Sequence, residues 1–504
     1  MDKTKNKGSN LGADATLLTF SKVATSAIAM VMTMMLSRVR STDEYGTYSQ
    51  ILMVVNLVTS ILMLGLPKSL NFFLARADSK EEKQRFLSLY YTLNTVLSLV
   101  VGLVLVLSVG VLEEIFDNTL IKRFLYFLAI YPWTKIVCSS VENLLIVYKK
   151  AKLLVAFRIL NSGALLLTVF AAKDFEQYML FYVLVEVAFS VAVYVLAAVV
   201  SGGIRPYMSL TMLKAVFAFS IPLGLASVVG TLNVELDKLL ISTLMDTHSF
   251  AIYSNAAREL PVTMIASTFT AVLLPQMVKM LKKEDHEAAI KLWSNATTLS
   301  MVLIAVIGVG CFVYSRDVMM ILYGDQYVGG DWVFKLYSLH LLLRCTYYGM
   351  VLNSIGKTGF IFWCSVGALG TNAVLNVALF FIFQMFGQSM LAPAVATLIS
   401  TTAMAILQLA VTAKSINVPF KKIFPWKQSA GILLVNVIFG VVFWFVKEAA
   451  PLDKMFTTVT ISSDKSLDGS VIESLILGGV WAIIYFGVMF KTLKKKWRNL
   501  KVKD

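Results

Sequence analysis

Charge is scarce in this sequence. Only 15% of its 504 residues are Asp, Glu, Lys or Arg, against roughly 25% in a soluble globular chain. That shortfall runs the whole length, which excludes both a soluble multidomain protein and a soluble protein hung on one anchor. Cysteine and histidine are also rare, with four and three residues. Cys138, Cys311, Cys345 and Cys364 lie in or beside apolar runs without paired spacing. They read as small buried hydrophobes, and their spacing supports neither a disulfide framework nor a metal site. No GxxxxGK[ST] phosphate loop, HExxH, CxxC or nucleophile elbow occurs, so no ATP engine, metal centre, cofactor site or catalytic residue is expected and the chain is not read as an enzyme. The glycines of "GDQYVGG" (324–330) follow no strand and read as an external turn.

What the chain has is hydrophobic residues, 58% of the total. A membrane span needs about 20 mostly apolar residues. On that rule fourteen spans fall at 15–36, 50–73, 86–110, 123–147, 153–172, 178–200, 213–236, 252–277, 291–314, 332–355, 358–386, 389–412, 428–447 and 470–490. The fold expected is therefore an all-α polytopic membrane protein. The formal charge of +15 would suggest nucleic acid in a soluble chain, but here Lys and Arg mark loops. With the N-terminus placed in the cytoplasm, 28 cations fall in inside loops and about ten in outside loops. Seven more (Lys22, Lys68, Lys135, Arg158, Lys238, Arg258 and Arg344) lie within spans or at their rims. This bias predicts a multi-pass protein of the cell membrane with both termini cytoplasmic. The head "MDKTKNKGSNLGADAT" leads into a full-length span and does not read as a cleavable signal. The tail "KTLKKKWRNLKVK" reads as an orientation signal that also touches anionic lipid, with no nucleic-acid partner.

One polar island, "RVRSTDEYGTYSQ" (38–50), interrupts two oily runs and has an echo in "TLMDTHSFAIYSN" (243–255). At a shift of 205 positions Ser37 meets Ser242, Tyr45 meets Phe250, Tyr48 meets Tyr253 and Ser49 meets Ser254. Leu66-Pro67 meets Leu274-Pro275 after a three-residue slip, and a charged loop follows each. Both copies point the same way, so the repeat is parallel. It predicts an N-terminal lobe over 1–210 (spans one to six), a C-terminal lobe over 211–415 (spans seven to twelve), and spans thirteen and fourteen with a basic tail over 416–504. The island itself reads as an external turn made by Asp43, Glu44 and Gly46, with Tyr45 and Tyr48 at the membrane interface.

An ionisable group at membrane depth costs on the order of 2.5–3.5 kcal/mol on insertion scales, and usually faces a bundle interior or wet cavity. Lys22 shares a helix face with Ser26. Lys135, Ser139 and Glu142 form one stripe at i, i+4 and i+7, and Arg158 lies near Asn161 and Ser162. Glu186 stands in span six, Asp237 shares a face with Asn233, and Arg258 precedes Glu259. Span ten carries Tyr337, His340, Arg344 and Tyr347 at i, i+3, i+7 and i+10. Aromatic faces suit sugars, and an Arg fork matches phosphate oxygens. Lys22, Lys135, Arg158, Arg258, Arg344, Tyr337 and Tyr347 are therefore the candidates for lining a substrate cavity. Glu142, Glu186, Asp237 and His340 are the candidates for coupling to a cation. The plainer alternative is that Lys135 and Glu142 neutralise each other, Lys238 and Arg258 snorkel to an interface, and span ten is an aromatic core helix.

"LSRVRSTDEYGTYSQ" resembles the end of the first span and following turn of the Wzx-type polysaccharide flippases, members of the multidrug/oligosaccharidyl-lipid/polysaccharide exporter superfamily. "ELDKLLISTLMDTHSFAIYSNAAREL" is similar to the start of their second lobe, "VLLPQMVKM" to the end of their eighth span, and "RDVMMILYGDQYVGGDWVFKLYSL" to their turn into the tenth. The resemblance implies a twelve-helix, two-lobe core that alternates between inward-open and outward-open states. It implies a lipid-linked oligosaccharide on a polyprenyl diphosphate carrier as substrate, with polysaccharide polymerase and glycosyltransferases as pathway partners. No motif carries over an individual cavity residue. Two alternatives stay open: a cation-coupled multidrug exporter of the same superfamily, and a membrane-embedded glycosyltransferase or polymerase. The first two spans hold no Asp or Glu at depth, against the exporter; the 447–469 loop offers Asp453, Asp464 and Asp468 but no His, against the enzyme.

Overall fold

The computed structural model describes residues 5–63, 65–449, 459–462, 465–467 and 469–500. Asp453, Asp464 and Asp468 of the 447–469 stretch lie outside the described residues. Among the described residues the chain is all-α but for one hairpin of Val459–Ser462 and Lys465–Leu467. Thirteen described helices are long and apolar enough to span a membrane. The tenth expected span, 332–355, exists as two shorter helices. Contacts divide the chain into two compact units, residues 1–251 and 252–504.

The first unit holds α1 (Lys5–Val39), α2 (Thr42–Met63), α3 (Leu66–Arg76), α4 (Lys80–Leu107), α5 (Val109–Phe116), α6 (Leu125–Val147), α7 (Ala151–Ala171), α8 (Phe175–Ser201) and α9 (Leu210–Leu244). α10 (Thr247–Ala256) carries the boundary between the units. Polar residues in the joints start α4 and α8. The Glu82 N–H donates to Ser79 Oγ at 3.0 Å and the Gln177 N–H to Asp174 Oδ1 at 2.8 Å. Each satisfies a backbone donor that the first turn leaves free.

The polar island corrects its expected reading. The chain turns within Arg40–Ser41, and α2 already begins at Thr42. The Glu44 N–H donates to Ser41 Oγ (3.2 Å) while the Ser41 N–H donates to Glu44 Oε2 (3.1 Å). This reciprocal pair is a capping box, so the "turn" acids belong to a helix start. Tyr45 and Tyr48 are buried rather than interfacial, with Tyr48 edge-on to Tyr178 and Tyr182. Arg40 is buried too, donating to the carbonyls of Ala172 (2.9 Å) and Lys173 (3.2 Å) beyond the end of α7. The echo has the same physical basis, because at the 205 shift Ser41 meets Asp246, which accepts the Ser249 N–H at 2.7 Å to start α10. Phe250 and Tyr253 repeat the burial of Tyr45 and Tyr48.

Span two also begins earlier than expected and breaks at Gly65, whose φ of 74° suits glycine. A Cβ there would lie 2.6 Å from the Gly224 nitrogen, so the glycine also admits the close approach of α9. α9 then runs along α2 through polar pairs. Gln50 Nε2 donates to Ser242 Oγ at 3.0 Å, Asn56 Nδ2 to Glu235 Oε1 at 3.1 Å, and Ser60 and Thr231 share a 2.9 Å bond. Such bonds replace the hydrophobic driving force that lipid cannot supply between helices. α8 shows the matching outer logic. Leu180, Leu184, Val191, Val195 and Val199 are exposed on one face, while Tyr178, Tyr182, Glu186, Ser190 and Val193 are buried on the other. Polar groups point inward and leucines outward, as a helix facing hydrocarbon requires.

The second unit holds α11 (Met264–Lys282), α12 (His286–Val313), α13 (Ser315–Tyr323), α14 (Asp331–Leu343), α15 (Met350–Ser354), α16 (Thr358–Gln384), α17 (Leu391–Ser415), α18 (Phe420–Ile423), α19 (Trp426–Ala449) and α20 (Gly469–Arg498). α12, buried along most of its length, packs against α11, α14, α19 and α20. "GDQYVGG" is a 3₁₀ turn over Asp325–Gly330 with Tyr327 buried.

In the second unit two expected spans are not continuous. Span eight stops at Ala256, runs non-helically through Ala257–Leu260, makes one 3₁₀ turn at Pro261–Thr263, and resumes as α11. Pro261 explains the break. It forces Leu260 to an extended backbone (φ −71°, ψ 143°) and removes a donor. Span ten stops at Leu343 and restarts at Met350, with residues 344–349 as turns.

Candidate functional site

The first unit gathers three of the sequence candidates into one ionic cluster. α6 is buried on most of its circumference, but Lys135, Ser139 and Glu142 leave their stripe open. Lys22 of α1 reaches Glu142 Oε1 at 3.0 Å, and Arg158 of α7 closes on Oε2. Arg158 also donates to Ser21 Oγ at 3.3 Å. Two cations therefore share one carboxylate. Lys135 does not pair with Glu142, contrary to the plainer alternative. It makes no hydrogen bond or ion pair with a described residue, and the carboxylates whose fields reach it are Glu235 and Glu186. Glu186 is buried on α8, and Asp237 is buried on α9. Glu235, not singled out from the sequence, is buried between Asn56 and Lys238, the latter at 3.0 Å. Its only signal was its place in "NVELDK", two residues before Asp237 and off that residue's face.

The second unit builds its site from the two broken spans. Arg344, the first residue after α14, reaches Glu259 of the 257–260 break at 2.5 Å. Both open on a cavity of about 530 Å³ lined also by Thr263, Ser267, Thr270, Thr346 and Tyr347. That volume falls in the range of small-molecule sites. Thr346 fixes the second break to α12, accepting Trp293 Nε1 at 2.9 Å and lying 2.9 Å from Thr297 Oγ1. The helical stripe expected on span ten therefore ends at Leu343. Arg344 and Tyr347 still meet at the cavity through a turn, whereas Tyr337 and His340 pack behind it. Tyr337 shares a 3.1 Å hydroxyl bond with Tyr253, and its ring stands 6.0 Å from that of His340, which is buried. Arg258 lines a small recess with Tyr337 and His340 rather than the large cavity. The threonines and serine of the cavity wall were missed. Pro261 was the available signal, since an unwound span needs polar neighbours for its freed backbone.

These groups suit anion recognition: guanidinium forks, an ammonium group and hydroxyls, with Lys22 and Arg344 about half-exposed and Arg158 more buried behind Glu142. A model of the family described as "Polysaccharide biosynthesis protein" matches residues 35–329, over half of the chain. The chain belongs to this family. Within the polysaccharide biosynthesis family and its neighbours, it is 23% identical over 359 residues to the probable low-salt glycan biosynthesis flippase Agl15 of Haloferax volcanii, covering 70% of this chain and 74% of that one. Among solved structures it is similar to the lipid II flippase MurJ in an inward closed conformation, with a TM-score of 0.72 at 14% identity, over 95% of this chain and 99% of the other. It is also similar to an inward-facing multidrug resistance MATE transporter of the MOP superfamily, with a TM-score of 0.61 at 13% identity, over 78% and 94%. At such identities the structural likenesses establish the fold.

Proposed function

We propose that this family member is a flippase that carries a polyprenyl-diphosphate-linked oligosaccharide from the cytoplasmic to the outer leaflet of the cell membrane, for synthesis of a surface polysaccharide. The observation that carries the reading is the pair of sites that keep a cation accessible: Lys22, half-exposed beside Arg158 and Glu142, and Arg344, half-exposed on its cavity. A diphosphate is the part of such a substrate that hydrocarbon rejects most strongly, and it is the part these side chains recognise. The aromatic ring of Tyr347 offers a face for a sugar in the same cavity. The relative from Haloferax volcanii, named a glycan biosynthesis flippase, supports the substrate class. Both termini belong in the cytoplasm by the distribution of Lys and Arg, and the parallel repeat assigns 1–210 and 211–415 to duplicated lobes with 416–504 appended. Glu142, Glu186, Asp237 and His340 are the candidates for cation coupling. Pathway polymerases and glycosyltransferases would act on either side of the transfer step.

The test is transport of a fluorescent lipid-linked oligosaccharide in proteoliposomes containing the purified protein. Arg158→Ala and Arg344→Ala are each expected to abolish translocation while the protein stays inserted and abundant. Full activity in both variants would refute the cationic-cavity reading.

A further inference from the structure

We propose that Glu142 and Glu259 are resident counter-anions, Glu142 holding Lys22 and Arg158 and Glu259 holding Arg344 until the phosphates of the substrate displace them. This deepens the flippase reading above and rests on it. The geometry that points to it is a contrast between three paired carboxylates. Lys447 and Asp317 form a closed pair with side chains 20% and 10% exposed. There Ser470 and Ser474 also donate to the Asp317 carboxylate, at 3.0 and 2.7 Å, so its acceptor sites are occupied by fixed donors. Glu142 and Glu259 are held differently. Glu142 is 35% exposed and meets only Lys22, 53% exposed, and the more buried Arg158 among the described residues. Glu259 is 44% exposed and meets only Arg344, itself 45% exposed. No backbone N–H or hydroxyl among the described residues locks either carboxylate.

Such a carboxylate does two things. It lowers the penalty of keeping a guanidinium at membrane depth while the site is empty. It also remains replaceable, because a ligand of the same charge sign and more acceptor oxygens competes for the same fork. A diphosphate offers parallel oxygens to Arg158 and Lys22 together, which a single carboxylate can satisfy only by dividing its two oxygens between them. When the headgroup leaves, the carboxylate swings back and the site returns to its starting charge. The device sets affinity low enough for release, as a carrier requires.

The consequence is a change opposite to that of ordinary binding-site loss. Removing the carboxylate charge should strengthen headgroup binding and slow turnover. Farnesyl diphosphate, binding to the detergent-solubilised full-length protein followed by calorimetry, is the probe. Glu142→Gln and Glu259→Gln are each expected to tighten binding by about tenfold, the scale of one competing charge-assisted hydrogen bond. Glu142→Asp should stay near wild type, and proteoliposome transport should slow in both Gln variants. Unchanged or weaker binding in both Gln variants, alongside weakened binding in Arg344→Ala, would overturn the counter-anion role and leave the flippase reading standing. Absence of farnesyl diphosphate binding to the wild-type protein would overturn that reading and this inference together. Glu259 stands at the rim of a cavity, so Glu259→Gln decides the matter alone if Glu142→Gln fails to fold.

Discussion

Replacing Lys447 by Met should destabilise the second unit more than any exposed ion-pair loss in the protein. The Lys447 ammonium donates to Asp317 Oδ2 at 2.5 Å and Ser474 Oγ at 2.9 Å, and lies 5.6 Å from the centre of the Tyr314 ring. It joins α19 to α13 and α20, so the pair fastens the last two long helices to the unit. Removing the cation leaves Asp317 mostly buried with only two hydroxyl donors. Breaking one side of a buried pair typically costs about 3–5 kcal/mol, most of it from the stranded charge. For a unit of this size that corresponds to roughly 10 °C in Tm. The double variant Lys447→Met/Asp317→Leu strands no charge and should recover more than half of the loss. The assay is thermal unfolding in detergent monitored by tryptophan fluorescence, since Trp481 is buried and stacks on Phe443 beside Tyr314 in the same unit. A shift below about 2 °C for the single variant, on the same scale, would refute the reasoning. So would a double variant no more stable than Lys447→Met.

Two further outcomes follow from the polar island and its echo. Arg40→Met should lower stability by about 2–4 kcal/mol, because two charge-assisted bonds to the Ala172 and Lys173 carbonyls disappear from a buried site; the measurement is Tm in detergent, and a neutral result would place those carbonyls in reach of water. Asp246→Ala should cost about 1 kcal/mol at neutral pH as a lost N-cap. Hydrogen bonding from Ser249 holds the Asp246 carboxyl below its ordinary value of 3.8. Its contribution is therefore complete above that value and lost as pH falls through the depressed one. Asp246→Asn should keep the cap and flatten the acid limb of a Tm-versus-pH curve, and an unchanged limb would remove Asp246 from the account.

The helices were largely legible in the sequence, because a run of about 20 apolar residues admits few other structures. Partners were not. The Lys135–Ser139–Glu142 stripe followed from helical spacing, yet spacing on α6 cannot say that Glu142 will meet Lys22 from α1 and Arg158 from α7. Tyr45 and Tyr48 were misplaced for a related reason. Tyrosines next to acids at a span end suit an interface, but the capping box draws those acids into a helix start and turns both rings inward. The break at 344–349 left almost no trace, since "RCTYYG" is apolar enough to pass for span and holds no proline. Pro261 did mark the other break, and the span-length rule overrode it.

Charge and unwinding coincide in the second unit for a physical reason. Arg258 and Glu259 occupy one break and Arg344 opens the other. An unwound segment in hydrocarbon leaves backbone donors and acceptors without partners, which is tolerable only beside a wet or polar cavity. That same cavity lowers the penalty for an accessible ion pair, so each feature makes the other possible. The first unit reaches accessible charge by another route. α1, α6 and α7 run unbroken past Lys22, Glu142 and Arg158, and three ions on three helices supply one another's counter-charge. The two units thus present cations at depth by different backbone means. What they share is a loosely held carboxylate, and that shared element is the feature an anion carrier would need for release.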